Sequence, residues 1–284
     1  MSDPPSLPEI LYDDVVRRAL AEDLGRAGDL TTDAIVPAGL EARAALVARE
    51  AGRIAGLEAA LHAFRLLDPS VRVEVRLGDG ADAPADATVA RVEGRARSIL
   101  TAERTALNLL GRLSGIATAA RDMVARLEGL QTRVVGTRKT TPGLRVLEKY
   151  ALRVGGAGSH RYGLDDAVLV KDNHLQVAGG VAEAVRRARA SVGHLVRLEV
   201  EVDTLEQLDE ALAARVDVVL LDNMDLETLR EAVRRSRGRA LTEASGRIRP
   251  ENVRAVAETG VDLVSLGWLT HSAPALDVAL DVEG

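Results

Sequence analysis

An α/β protein with a parallel sheet, preceded by a smaller α+β layer, is the fold class predicted for this chain. Two observations carry it. After Leu130 the sequence repeats a strand-like run followed by a helix-like run, the alternation that builds parallel sheets with right-handed crossovers. From Glu41 to Val92 it shows short alternating runs broken by Gly, Asp and Pro, as in a small antiparallel sheet. A third observation sets the scale, since 284 residues with 46% apolar and 28% charged side chains are enough for one large core or two smaller ones.

Leu7 to Leu24 is predicted as an amphipathic helix, with Leu11, Val15, Val16 and Leu20 at helical spacing. GDLTTD, at 28 to 33, is turn and cap chemistry. Within the α+β layer a helix is expected around Leu57 to Leu67. Ser98 is then expected to cap a long helix running past Met123, and its stripe of Leu100, Leu107 and Leu110 places Arg104 on the apolar face. A guanidinium there needs a partner, either a nearby acid or an anionic ligand across a boundary. Six strands follow: TRVVG, DAVLVK, LVRLEVEV, DVVLLD, RALTEAS and DLVSLG. Six falls short of the eight of a closed barrel, so an incomplete or modified barrel is expected, with an open doubly wound sheet as the alternative.

In both architectures ligands bind at the carboxyl ends of the strands. Those ends read Thr137, Arg138 and Lys139, then Lys171, Glu199 and Glu201, Asp222, Ser245 and Gly246, and Gly267. All three lysines of the protein, Lys139, Lys149 and Lys171, fall between Gly136 and His174, where seven basic side chains face four acidic ones in a chain of net charge -6. Such a local reversal of charge suits an anionic ligand. Arg138, Lys139, His160, Arg161 and Lys171 make a set suited to carboxylates. Glu199 and Glu201 lie two apart on one strand and so face the same side, where they need partners such as Lys171, Mg²⁺ or sugar hydroxyls. Gly246 and Gly267 allow close approach of backbone to a phosphate, and a helix beginning near Pro250 would turn its amide end towards it. Lys149 lies in the helix between two strand ends and is read as structural.

Other classes are excluded by composition. A pI near 5.5 with five aromatic residues argues against nucleic acid as a partner. No run reaches the roughly eighteen apolar residues of a membrane helix, and MSDPPSLPEI carries no targeting pattern, so no membrane partner and a cytoplasmic location are expected. Without cysteine, disulfides, thiolate metal sites and cysteine nucleophiles are absent.

Blocks spanning nearly the whole chain resemble the quinolinate phosphoribosyltransferase family: GDLTTD, ERTALNLLGRLSGIAT (103 to 118), TRKTTPGLRVLEKYA (137 to 151), HRYGLDDAVLVKDNH (160 to 174), LEVEVDTLEQL (198 to 208), LLDNM (220 to 224), EASG (243 to 246) and VSLGWLTHS (264 to 272). The resemblance implies an incomplete α/β barrel, 113–269, and an N-terminal α+β open sandwich, 1–112, completed by the C-terminal segment 270–284. It implies phosphoribosyl transfer from phosphoribosyl pyrophosphate to quinolinate with decarboxylation, Mg²⁺ as cofactor, and homodimers with shared active sites, the hexamer being the alternative assembly. Carried over, Arg104 would reach the neighbouring subunit's quinolinate, held also by Thr137, Arg138, Lys139, His160, Arg161 and Lys171. Glu201 and Asp222 would bind the ribosyl part and Mg²⁺, with Lys139, Lys171, Glu201 and Asp222 as the catalytic set. The turns at Ser245, Gly246 and Arg247 and at Leu266, Gly267 and Trp268 would hold the 5'-phosphate. Arg247 stands where the family commonly has a small or polar residue and Trp268 where it usually has alanine, and GGAGSHR departs slightly from its usual glycine-rich lead. A related phosphoribosyltransferase of altered substrate and a non-catalytic binder of anionic metabolites are the competing readings; the second would be expected to lack Glu201 or Asp222, and this sequence has both.

Overall fold

A computed structural model describes residues 6–283, so residues 1–5 and 284 of the expected domain spans lie outside the described residues. The chain divides into two compact units, one made of Met1–Arg121, Thr140–Gly156 and Leu269–Gly284, the other of Asp122–Lys139 and Ala157–Trp268. The expected spans, 1–112 with 270–284 and 113–269, differ from this division in that the first unit runs to Arg121 and takes in 140–156.

The first helix begins later than its pattern predicts. A 3-10 turn at Glu9–Leu11 precedes helix α1, Asp13–Leu24, and Tyr12 between them leaves helical geometry at φ -127. Tyr12, Val16 and Leu20 are buried, whereas Leu11 is half exposed. Tyr12 sets its ring edge-on to His62 at 5.6 Å, and His62 Nε2 meets Asp13 Oδ1 at 2.7 Å. Asp29 then caps α2, Leu30–Ile35, accepting from the Thr32 amide, as the cap chemistry predicts.

Strands β1 (Glu41–Ala48), β2 (Gly52–Arg53), β3 (Arg72–Val75), β4 (Asp82–Ala83) and β5 (Ala87–Arg95), with helix α3 (Leu57–Leu67) between β2 and β3, build the expected antiparallel layer. Helix α4, Ala96–Arg126, starts directly where β5 ends. Ser98 therefore lies inside its first turn and is not its cap, because the strand's last residues already set the chain's entry into the helix.

The second unit carries a seven-stranded parallel sheet: β6 (Arg133–Gly136), β7 (Gly158–Ser159), β8 (Val168–Val170), β9 (Leu198–Val202), β10 (Val218–Asp222), β11 (Leu241–Ser245) and β12 (Leu263–Ser265). Their order is β7-β6-β12-β11-β10-β9-β8. Read around, each strand neighbours the next in sequence, the last pairs with the first, and the circle opens only between β7 and β8. That is an incomplete barrel, and the doubly wound alternative is set aside because its order would reverse at a switch point. All six expected strands are present; β7 is additional. Helices α6 (Asp172–Ala178), α7 (Val181–Ser191), α8 (Leu205–Ala213), α9 (Leu226–Ser236) and α10 (Val253–Ala257) fill the crossovers, and α11 (Trp268–His271) follows β12.

Helix α5, Arg145–Val154, belongs with the N-terminal unit. Its Glu148 is fully buried and accepts from Arg112 Nη2 at 2.9 Å, the Thr141 amide at 3.0 Å and the Thr141 hydroxyl at 2.8 Å. Arg112 also donates to the carbonyls of Thr270 and Ala273. One buried ion pair thus ties α4, α5 and the C-terminal segment. That segment ends in β13, Val278–Glu283, antiparallel to β1. Its backbone passes so close to α4 that a Cβ at Gly115 would lie 2.0 Å from the Pro274 carbonyl oxygen, which only glycine accommodates.

Candidate active site at the carboxyl ends of the strands

The second unit holds every expected site residue except Arg104. Inward-facing positions recur every second residue of a strand, and parallel register carries them from strand to strand. Leu169 pairs with Glu199, so two residues on Lys171 falls opposite Glu201, and Lys171 Nζ meets Glu201 Oε2 at 2.5 Å. Lys171 is largely exposed, with Glu201 nearly covered. The amide of Lys171 donates to His174 Nδ1 at 2.9 Å, so the histidine of the Lys-Asp-Asn-His motif fixes the start of α6.

Thr137, Arg138 and Lys139 leave β6 in a tight turn in which the Lys139 amide donates to the Thr137 hydroxyl. The Arg138 Nε is buried without a hydrogen-bond partner among the described residues. Arg161 donates to the Ala167 carbonyl at 3.1 Å. Burial first, and the charge of Arg138 second, push the Arg161 guanidinium below its ordinary pKa, against the pull of Glu199 and Asp166. Two guanidiniums close enough to repel each other form a subsite that an anion stabilises.

Behind them lies a buried acid pair that the pattern of strand ends overlooks in part. His160 Nε2 is 2.8 Å from Glu199 Oε2 and 3.7 Å from Glu243 Oε1. Both glutamates are buried. Desolvation, and then the charge of Glu199, raise Glu243 to about 7. The two-residue spacing on β9 places Glu199 on the same side as Glu201, whereas Glu243 is absent from the expected site. Its signal was available, since Glu243 lies two residues before Ser245 on the same strand face.

Asp222 and Ser245 stand side by side in register at the ends of β10 and β11. Asn223 follows with φ 53, donates its backbone amide to the Ser245 carbonyl at 3.0 Å and its side-chain amide to Asp222 Oδ2 at 2.6 Å. Gly246 has φ +91, and a Cβ there would lie 2.3 Å from Asn223 Oδ1. Glycine is thus required both by conformation and by space. Arg247 is exposed with φ 53, and Asn252 closes the following turn by donating to the Arg247 carbonyl and accepting from the Arg249 amide. The helix expected from Pro250 begins at Val253 and runs five residues, so it does not present a long dipole here. Across the sheet, the amide of buried Leu266 donates to the Val135 carbonyl, Gly267 follows, and the Trp268 indole Nε1 is buried without a hydrogen-bond partner among the described residues.

Arg104 lies on α4 in the first unit, 65% exposed, with its nearest acid Glu103 at 3.9 Å. It shares an exposed stripe with Asn108 and not the buried face, because Ile99, Ala102, Ala106, Leu109, Leu110 and Leu113 fill that face. Among the described residues, the groups of three or more His, Asp or Glu with mutually close ligand atoms are His160-Glu199-Glu243 and Glu9-Asp13-His62. Glu201 and Asp222 fall outside both. No helix among the described residues is long and apolar enough to cross a membrane.

Comparison with known proteins adds the lineage. Residues 29–114 match the model of the quinolinate phosphoribosyl transferase N-terminal domain, and residues 116–281 that of its C-terminal domain. The chain is 46% identical over 280 residues to a probable nicotinate-nucleotide pyrophosphorylase [carboxylating] of Synechocystis, covering 97% of this chain and 94% of that one. It is 46% identical over 277 residues to the nicotinate-nucleotide pyrophosphorylase [carboxylating] of Mycobacterium leprae, covering 95% and 96%. The solved nicotinate-nucleotide pyrophosphorylase of Francisella tularensis superposes with a TM-score of 0.94 at 37% identity, covering both chains completely.

Proposed function

This chain belongs to the quinolinate phosphoribosyl transferase family, and we propose that it transfers the phosphoribosyl group of phosphoribosyl pyrophosphate to quinolinate, releasing pyrophosphate and carbon dioxide and forming nicotinate mononucleotide. One observation supports this best: a cationic half-site of Arg138, Lys139, Arg161 and Lys171 meets an acidic half-site of Glu201 and Asp222 at one end of one sheet. A dianionic acceptor and a sugar passing through a cationic transition state need those two halves.

The reaction follows from the charges. The lone pair of the pyridine nitrogen forms a bond to the ribose C1 as the bond from C1 to the pyrophosphate oxygen breaks, its electron pair leaving with pyrophosphate. Glu201 and Asp222 stabilise the positive charge that builds on the sugar. Lys171, ion-paired to Glu201 before substrate arrives, is positioned to exchange that partner for a substrate carboxylate. Quaternised, the ring nitrogen accepts electron density, so the bond from C2 to its carboxylate breaks, carbon dioxide departs, and C2 takes a proton. Glu201 and Asp222 would also hold Mg²⁺, whose chemistry when bound is to neutralise the charge of the leaving diphosphate. Ser245, Gly246 and Arg247, with Leu266, Gly267 and Trp268, are the proposed 5'-phosphate turns. The working assembly is a homodimer in which Arg104 serves the other subunit's site, in the cytoplasm.

Incubation with quinolinate, phosphoribosyl pyrophosphate and Mg²⁺, following carbon dioxide and nicotinate mononucleotide, tests the reading. Stoichiometric formation of both is expected; turnover of nicotinate with none of quinolinate would overturn it.

A further inference from the structure

His160 belongs to the set of cations suited to carboxylates, yet both of its ring nitrogens are engaged within the protein. The Arg161 amide donates to Nδ1 at 2.7 Å. An amide hydrogen can be accepted only by a nitrogen without a proton, so the proton resides on Nε2. Nε2 in turn points at Glu199, 2.8 Å away, with Glu243 behind it. An imidazole satisfied on both sides has no N–H left for a ligand.

Buried charges persist only when paired. The charges in reach of the glutamates are those of the cationic pocket: Arg161 lies close enough to Glu199, and Lys171 to Glu243, for each to feel the other's charge. Each glutamate also keeps one carboxylate oxygen, Oε1, buried and without a hydrogen-bond partner among the described residues. The pair thus forms an acidic floor under a group of cations that repel one another.

We propose that Glu199 and Glu243 are positioning residues of the acceptor pocket: they hold His160 by its Nε2, and His160, through the Arg161 amide, sets the backbone from which the Arg161 guanidinium reaches the acceptor's carboxylates. His160 is then a strut between the acid floor and Arg161 and gives no hydrogen bond to the substrate. The proposal rests on the quinolinate reading above and assigns the two acids to the acceptor half of the site alone.

Steady-state kinetics of Glu199→Gln and Glu243→Gln, beside wild type, test it. Each variant keeps the side chain's shape and replaces the carboxyl by a neutral amide. The KM for quinolinate is expected to rise about tenfold or more, the loss typical of a charge-assisted contact, with the KM for phosphoribosyl pyrophosphate little changed and the melting temperature not lowered. His160→Gln, whose amide nitrogen reaches the place of Nε2, is expected to retain more quinolinate affinity than His160→Asn, which cannot reach it. Unchanged quinolinate KM in both glutamate variants overturns the proposal. So does a parallel rise of both KM values with a fall in melting temperature, which marks a merely structural role. If Glu243→Gln does not fold, Glu199→Gln decides alone. A wild-type enzyme inert with quinolinate overturns the functional reading itself, and this proposal with it.

Discussion

Glu243 is a residue whose environment changes what its identity suggests. A carboxyl is ordinarily ionised at neutral pH, but burial and the neighbouring charge of Glu199 raise this one to about 7. Below its ordinary value of 4.5, folded and unfolded chains both hold the proton and the group contributes nothing to the pH dependence of stability. Between 4.5 and about 7 the unfolded chain releases the proton while the folded chain keeps it, so stability falls with rising pH; above that window the cost is constant. The Glu243→Gln variant escapes this penalty. Its melting temperature relative to wild type is expected to climb from about pH 5 to about pH 8, and a difference flat in pH would contradict the burial argument. Glu148 has partners of another kind. Equally buried, it sits against Arg112 and the Thr141 hydroxyl and amide, partners that make a buried carboxylate tolerable. Neither environment is visible in the identity of a single residue.

Helices show which interactions are local enough to be legible in sequence. Glu-Ala-Val-Arg-Arg occurs in α7 at 183–187 and in α9 at 231–235, and in both the glutamate accepts from the arginines three and four residues on. Both carboxyls are held down to about 2 by those hydrogen bonds. The same five residues give the same geometry because every partner lies within one turn. Helix α3 is different. Its N-cap, Gly56, has no side chain to offer, and Asp79 takes over from more than twenty residues away, accepting from the amides of Gly56 and Leu57 at 2.9 Å each and from the Tyr150 hydroxyl at 2.7 Å. Asp79→Ala is expected to cost about 2 kcal/mol and about 5 °C in melting temperature, as calorimetry would measure. Loss of less than a few tenths of a kcal/mol would show that water replaces the carboxylate freely. Strands divide the same way. The six apolar strands of the barrel were legible from their texture, while β7, two residues in a glycine-rich run, has no side-chain alternation to announce it.

At the scale of the molecule, the C-terminal segment returns to the first unit, where β13 extends the sheet at β1 and Arg112 holds the carbonyls of Thr270 and Ala273. The barrel, for its part, supplies strand ends with both charges but no Arg104. If that arginine serves a neighbouring subunit, mixing Arg104→Ala chains with Lys171→Ala chains is expected to restore about a quarter of wild-type activity per site in randomly mixed dimers, measured after confirming that dimers have exchanged subunits. Activity no higher than in either parent would place Arg104 in its own subunit's site or outside any site.

What the sequence determined by itself is what depends on near neighbours: the alternation of strand and helix, the cap at Asp29, and the list of residues at strand ends. From the alternation the parallel sheet was already readable, with the incomplete barrel and the open doubly wound sheet as its two possible closures. Tertiary structure alone decided the pairing. Glu243 beneath His160, Asp79 on the amides of α3, Asn223 against Gly246, and Arg112 on Glu148 each join groups distant in sequence, and each depends on register and burial, which arise only when strands and helices close on one another. A carboxylate's chemistry is set by what surrounds it, and those surroundings come from elsewhere in the chain.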